Sequence, residues 1–393
     1  MSSTPSAVAA GPTASRPLRV LLATAHPRDP SLGSPKLILR LGAALAAFGH
    51  EVDYLFADDV PARLRDRRVL YAIFPAVVAR YALKRRHDVI HVASGDSALI
   101  GPLSKSRRRG RWALVNLVLG MEHIDWQELK RFQVERGGRL RLRHRLLFGG
   151  IRLRQVELSI RSSDAVMCLC QQDSRFIVSH GWQPQARTAV VAPGVDDVFL
   201  TSSLAPLDEP RVFFLGTWIP RKGVFELVEA FERVAEKVQN VTLVVAGARR
   251  SADAVLADFP ERLRRAVTVL PVIPDPPAKL VELMQSSSVG VLPSHYEGFG
   301  MAFLEMMSVG LPVVGTETGG MADLIQTGRN GLLVPAWDRG RLAQALIDLL
   351  SNDGERRRLA DAAVRTARSY TWRRAAEALT ALYESVVPKA TVP

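Results

Sequence analysis

The sequence predicts an α/β protein built from two doubly wound, parallel-sheet domains. Three observations carry that expectation. Short apolar runs alternate with amphipathic stretches in the order strand, helix, strand. The alternation runs to about Asp196, stops over a segment of linker composition, and restarts at Arg211. The excess charge lies entirely before the break: residues 1–200 hold 30 Lys and Arg against 17 Asp and Glu, and the remainder balances at 22 of each.

Residues 1–17 are rich in Ser, Ala, Pro, Thr and Gly, with no basic start leading into an apolar core. They read as a disordered tail, not a secretory signal. Residues 19–24 form a buried strand. A loop with Pro27, Pro30, Gly33 and Pro35 follows, then a helix over 37–48 closed by Gly49, and a strand over 51–56. Further strands fall at 89–92, 113–119, 165–169 and 189–191, ending a first domain at 18–196. Residues 197–210 read as the linker.

The pattern then repeats with strands at 211–215, 241–246, 267–272, 289–292, 311–314 and 331–334. Helices are expected at 223–238, 280–285, 340–351, 355–369 and 372–387. This second domain spans 208–370. Ligands of such sheets bind outside the carboxyl ends of the strands, so two facing domains put the site in the cleft between them.

Composition narrows the class. At 393 residues the chain holds two or three domains, and 47% hydrophobic with 23% charged residues excludes collagen, coiled coil and wholesale disorder. No apolar run reaches the ~20 residues of a membrane span. Cys168 and Cys170 would stand parallel on one strand face, about 6.6 Å apart at the strand rise, which is poor disulfide geometry. Two cysteines alone do not make a zinc site. A reducing, cytoplasmic compartment is expected.

Three segments carry candidate chemistry. In Phe214-Leu-Gly-Thr-Trp-Ile-Pro-Arg-Lys-Gly-Val224 a strand enters a loop with Gly216 and Thr217, and a helix starts just after Lys222 and Gly223. Free amides at a helix start, with Lys222 and Arg221, suit phosphate; an ordinary loop with solvated cations is the simpler alternative. In Pro293-Ser-His-Tyr-Glu-Gly-Phe-Gly-Met-Ala-Phe-Leu-Glu305, Gly298 and Gly300 let a ligand approach the backbone. Glu297 and Glu305 can accept hydrogen bonds from sugar hydroxyls at two depths of one pocket. The surrounding Ala302, Phe303, Met306 and Met307 make that helix apolar, and a buried Glu305 needs partners. In Gly315-Thr-Glu-Thr-Gly-Gly-Met-Ala-Asp323, Gly319 and Gly320 are placed to lie against a phosphate.

In order, Gly216…Lys222-Gly223, Glu297-Gly-Phe-Gly…Glu305, Gly319-Gly320 and Asn330-Gly-Leu-Leu-Val-Pro335 resemble the donor half of retaining glycosyltransferases of family 4, which have the GT-B architecture of two Rossmann-like domains facing a cleft. Gly49-His-Glu-Val52, Asp88-Val-Ile-His-Val92, Ser163-Asp164-Ala-Val, Pro193-Gly-Val-Asp196 and Tyr370-Thr-Trp372 extend the resemblance over about residues 18–390. It implies a nucleotide-diphosphate sugar as donor, retained anomeric configuration, no cofactor and no obligatory metal; a sugar, polysaccharide or lipid-linked acceptor is expected, the last from the basic half of the chain. It also implies that the last helix, 371–390, crosses back to the first, acceptor-binding domain.

Carried over residue by residue, Lys222 clasps the diphosphate and Glu305 accepts the ribose hydroxyls. Glu297 contacts the donor sugar with amides near Phe299, Gly300, Met301 and Ala302. The base lies near Val272 and Ile273, read by backbone. On the acceptor side stand Gly33, Ser34, Gly120 and Glu122, with His123 as a catalytic candidate beside Glu297 and Lys222. Cations and oriented amides would stabilise the departing nucleotide diphosphate. Two positions depart from the family. Thr217 stands where an arginine usually follows the glycine, and Leu119 stands where a histidine usually precedes Gly120.

The basic half carries runs at 63–68, 84–86, 105–111 and 136–154. The last mixes arginines with Leu142, Leu146, Leu147 and Phe148, a composition suited to an anionic bilayer. Peripheral association with the inner membrane face follows as an expectation, against a helix packed on its own sheet. Nucleic acid is not expected as a partner, because aromatics for stacking are nearly absent from these runs. A non-catalytic nucleotide-sugar binder is the alternative the two departures favour. An epimerase of the same architecture would need carboxylates the sequence does not identify.

Overall fold

The computed structural model describes residues 16–104, 112–200, 209–273 and 277–387. Residues 1–15, the basic run at 105–111 and most of the linker segment lie outside the described residues.

The first domain runs β1 (Arg19–Ala23), α1 (Gly33–Ala47), β2 (Glu51–Leu55), α2 (Arg67–Lys84), β3 (Val89–Ala93), α3 (Ile100–Ser104), β4 (Ala113–Val118) and α4 (Glu122–Glu135). It continues with α5 (Leu142–His144), a π-helical stretch Arg145–Arg152, α6 (Leu153–Ser162), β5 (Ala165–Cys168), α7 (Gln171–Ser179) and β6 (Thr188–Val190). Its strands pair in parallel in the order β2-β1-β3-β4-β5-β6. Every residue of β3 and β4 is buried, which explains why both read as apolar runs, each with one polar residue, His91 and Asn116: helices cover both faces. Cys168 and Cys170 are buried and unbridged.

The second domain runs β7 (Arg211–Leu215), α8 (Val224–Lys237), β8 (Thr242–Ala246), α9 (Ala252–Leu256), β9 (Val267–Leu270), α10 (Pro277–Gln285), β10 (Val289–Leu292) and α11 (Met301–Ser308). Then come β11 (Val313–Thr316), α12 (Gly319–Leu324), β12 (Leu332–Val334), α13 (Arg339–Ser351), α14 (Asp353–Ala367) and α15 (Trp372–Val386). Its parallel sheet has the order β12-β11-β10-β7-β8-β9.

Two expected elements move. Helix α1 begins at Gly33, not at residue 37, because Pro35 falls in the first turn, where a missing N–H costs nothing. The strand expected at 311–314 is shifted to β11, since Pro312 precedes it and Gly315 and Thr316 continue the ladder to β12.

Helix α15 packs against the first domain. His50 Nε2 and Thr380 Oγ1 lie 2.9 Å apart, and His91 Nδ1 and Tyr383 Oη lie 2.6 Å apart. The chain therefore crosses between domains twice, and the crossings touch. The Val195 amide donates to the Tyr370 carbonyl at 3.1 Å, and the Trp372 indole donates to Asp196 Oδ1 at 2.9 Å. A Cβ on Gly194 would sit 2.1 Å from the Trp372 nitrogen, so only glycine fits there.

Candidate active site

Strand β10 ends at Leu292, and the loop to α11 carries the first carboxylate. Gly300 turns the chain into the helix at φ +93°, a left-handed conformation that favours glycine. Glu297 Oε2 is paired with Lys222 Nζ, and Arg221 Nη1 stands 3.9 Å away. Arg221 reaches inward: it donates to the Tyr296 carbonyl at 2.9 Å, and its Nε lies 3.3 Å from Asp125 of the first domain. Lys222 is held by the local chain path. Gly223 has φ +66°, and a Cβ there would meet the Pro293 carbonyl at 1.9 Å. The β7 and β10 loops are thus locked together.

Burial alone would push the Glu297 carboxyl up, but Lys222 and Arg221 outweigh it and hold the group below the usual range. Burial draws Lys222 down despite the attraction of Glu297. Gly216 and Thr217 are half-buried beside this pair, and the Lys222 stem packs 3.8 Å from where a Gly216 Cβ would be.

Glu305, the second carboxylate, lies further along α11, and the side chain that meets it comes from the other domain. Lys36 Nζ donates to Glu305 Oε1 at 2.6 Å and stands 3.4 Å from Asp196 Oδ2. Asp196 also takes Arg40 at 2.9 Å. Burial pushes the Glu305 carboxyl up while Lys36 draws it down, with burial prevailing. For Lys36 burial lowers and its two carboxylates raise, with the carboxylates prevailing. Gly33 and Ser34, expected on the acceptor side, open α1 in the turn that carries Lys36.

The domains also meet along the β4 loop. A Cβ on Gly298 would sit 2.3 Å from the Leu119 carbonyl, and Gly120, at φ +148°, lies against Tyr296 and Gly298. Glu122 is held within the first domain: its Oε1 accepts from Arg152 Nη2 at 3.1 Å. The same guanidinium donates to Asp96 Oδ1 at 2.9 Å, whose other oxygen accepts the Ala25 amide at 2.8 Å. Glu122 Oε2 is buried with no hydrogen-bond partner among the described residues. The His123 ring packs on Trp182 and Phe176 at 4.8 and 5.9 Å, inside the first domain. Burial lowers it to about 4. The structure does not bring His123 together with the Lys222–Glu297 pair.

Gly319 and Gly320 correct an expectation. They are small to admit protein, not phosphate. A Cβ on Gly319, at φ +53°, would meet the Glu297 carbonyl at 1.6 Å, and one on Gly320 would meet the Phe299 Cα at 2.3 Å. The Gly319 amide donates to the Gln172 side chain of the first domain. These glycines brace the loop bearing Glu297. Phe299 is buried against Tyr370, whereas Met301 and Ala302 occupy the first turn of α11, where amides lack helical partners. The Val272 side chain is 74% exposed, and Ile273 packs on Gly247.

Sequence reasoning missed Lys36, Asp96, Arg152 and the contact of Tyr296 with Asp173. Lys36 left one trace, a cation in the loop after the first strand. Arg152 left none, being one arginine within a long basic run.

The two facing parallel sheets and the returning last helix define the class: a GT-B-type protein. Residues 209–352 match the family described as glycosyl transferases group 1. The D-inositol 3-phosphate glycosyltransferase of Corynebacterium urealyticum is 31% identical over 220 residues, covering 51% of this chain and 52% of that protein. The chain thus matches about half the length of such curated relatives. Among solved structures, sucrose-phosphate synthase of Thermosynechococcus elongatus superposes with a TM-score of 0.75 at 20% identity, over 94% of this chain and 98% of the other. Anabaena Alr3699/HepE in complex with UDP superposes at 0.66 and 18% identity, over 94% and 100%. No described helix is long and apolar enough to cross a membrane.

Proposed function

We propose that the chain is a retaining glycosyltransferase that moves a sugar from a nucleotide-diphosphate donor to a sugar or lipid-linked acceptor. One observation carries this reading: Glu297 and Glu305, on one loop and helix at the cleft, each hold a lysine where a charged ligand would enter. The family match and the UDP complex of a protein of like fold support it.

In this reading Glu305 accepts the ribose hydroxyls. Glu297, kept ionised by Lys222, accepts hydroxyls of the donor sugar and does not act as a proton donor. Lys222, Arg221 and the first-turn amides of α11 face the diphosphate. They stabilise the charge that grows as the sugar–phosphate bond breaks, and no metal ion is called on. The backbone at Val272 and Ile273 meets the base. Acceptor binding falls to the first domain, at Gly33, Ser34, Gly120 and Glu122. His123 is left outside the catalytic set by its ring packing.

Thermal-shift titration with a panel of nucleotide-diphosphate sugars tests the reading. A ligand at 100 times its dissociation constant stabilises a protein by about 2.7 kcal/mol. One donor should raise the melting temperature of the wild type and leave Glu305→Ala unmoved; a null result across the panel would leave a degenerate site.

A second element of the proposal concerns the membrane. Arg139, Arg141, Arg143 and Arg145 are exposed beside Leu142, Leu146 and Ile151, which are 67%, 60% and 56% exposed. Cations interleaved with bare aliphatic side chains on a helix fit an anionic bilayer surface. Each near-surface cation adds about 1 kcal/mol there. The protein would then work in the cytoplasm, at the inner membrane face.

A further inference from the structure

We infer that Lys36 is a mobile cation of the donor site: it neutralises Glu305 while the site is empty and passes to the diphosphate when a donor binds. The inference rests on the donor reading of Glu305 given above.

Three observations lead to it. First, Lys36 belongs to the first domain, yet its Nζ sits 2.6 Å from Oε1 of the carboxylate assigned to the ribose. Ribose hydroxyls and Lys36 would therefore compete for the same oxygen. Second, the carboxylate a displaced Lys36 would fall back on is already engaged. Asp196, its other neighbour at 3.4 Å, is engaged by Arg40 at 2.9 Å and by the Trp372 indole at 2.9 Å. The ribose hydroxyls that replace Lys36 are neutral, so its charge is left unmatched in a largely buried setting. The anion that arrives with the ribose is the diphosphate. Third, the β7 loop sets the neutral Thr217 directly after Gly216, so a cation from elsewhere has a role to fill. Lys36 stands in the first turn of α1 on a flexible four-carbon stem, and its partner Glu305 lies one turn along α11 from the first-turn amides of Met301 and Ala302.

The exchange has a signature. A nucleoside must break the Lys36–Glu305 pair and offers Lys36 nothing in return. A nucleoside diphosphate breaks the same pair and supplies a replacement. Removing the cation should therefore move the two ligands in opposite directions.

The test is calorimetric titration of wild type, Lys36→Met and Glu305→Ala with UDP, GDP and ADP and with their nucleosides. For the diphosphate that binds the wild type, Lys36→Met should weaken binding about tenfold to a hundredfold, the range for a lost charge-assisted hydrogen bond. Its nucleoside should bind the variant as well as, or a few-fold better than, the wild type. Lys36→Gln, which still donates to Glu305 without the charge, should behave the same way and serves if the methionine variant does not fold. Equal losses for both ligands, or unchanged diphosphate binding, would overturn the role of Lys36 and leave the donor site standing. If no diphosphate binds the wild type, the donor reading itself fails, and this inference with it.

Discussion

Tyr296 of the second domain donates its phenolic hydrogen to Asp173 Oδ1 of the first at 2.6 Å, while accepting the Met121 amide. Both side chains are fully buried, and Asp173 Oδ2 has no hydrogen-bond partner among the described residues. Burial pushes the Asp173 carboxyl up to about 7 from 3.8. The folded protein thus keeps a proton that the unfolded chain has released. The resulting stability is full below the unfolded value and fades as pH rises to the folded one. Across that window the loss is on the order of 4 kcal/mol. Asp173→Asn, isosteric and neutral, should remove this dependence. Urea unfolding of both proteins between about pH 5 and about pH 8 checks it. The variant should gain on the wild type as pH rises; parallel profiles would refute the assignment.

Lys222 pairs with Glu297 and, in the proposed reaction, faces the diphosphate. Lys222→Met should lower kcat about a hundredfold to a thousandfold, the range for losing one preorganised donor to a developing charge. Assay of the purified variant with the donor found by thermal shift measures this. An effect confined to KM would place Lys222 in binding alone.

Gly298 of the β10 loop and Gly319 at the start of α12 should separate packing from domain contact. Gly319→Ala forces a Cβ to 1.6 Å from the Glu297 carbonyl at φ +53° and should destabilise the protein by about 2 kcal/mol or more. In Gly298→Ala the clash at 2.3 Å is with Leu119 of the other domain. The pair can relieve it by parting, so little stability should be lost. Small-angle scattering should instead show a larger radius of gyration for Gly298→Ala. Equal melting-temperature losses in both variants would contradict this division.

Binding to vesicles should depend on the bare aliphatic stripe. Co-sedimentation with anionic phospholipid vesicles at low salt is expected for the wild type. Leu142→Ser, Leu146→Ser and Ile151→Ser together should abolish most of it while leaving the melting temperature unchanged, since these side chains face solvent. No pelleting of the wild type would remove the membrane from the proposal.

The fold is legible in the sequence because its signal is local. Buried strands such as β3, β4 and β10 are apolar runs broken by at most one polar residue, His91 in β3 and Asn116 in β4, and the restart at Arg211 marks the second sheet. Glu297 and Glu305 are legible because one loop and one helix carry both. What stays hidden lies across the chain. Lys36 and Glu305 are 269 residues apart and meet only because the cleft closes. Gly319 and Gly320 read as a phosphate loop because glycine reports close approach without saying what approaches. Arg152 is one cation in a basic run, and only burial beside Asp96 and Glu122 sets it apart.

The double crossing between domains has a mechanical consequence. With Val195 bonded to Tyr370 and Gly194 seated on Trp372, the paired segments at 194–196 and 370–372 behave as one flat strap, not as two independent tethers. A strap bends readily about a single line and resists twisting and sliding. Opening would therefore be a book-like swing about that line, carrying Glu305 away from Lys36 along a fixed arc. Each closure would return the same lysine to the same carboxylate, so alignment of the two half-sites is set by the spine and need not be found anew by diffusion.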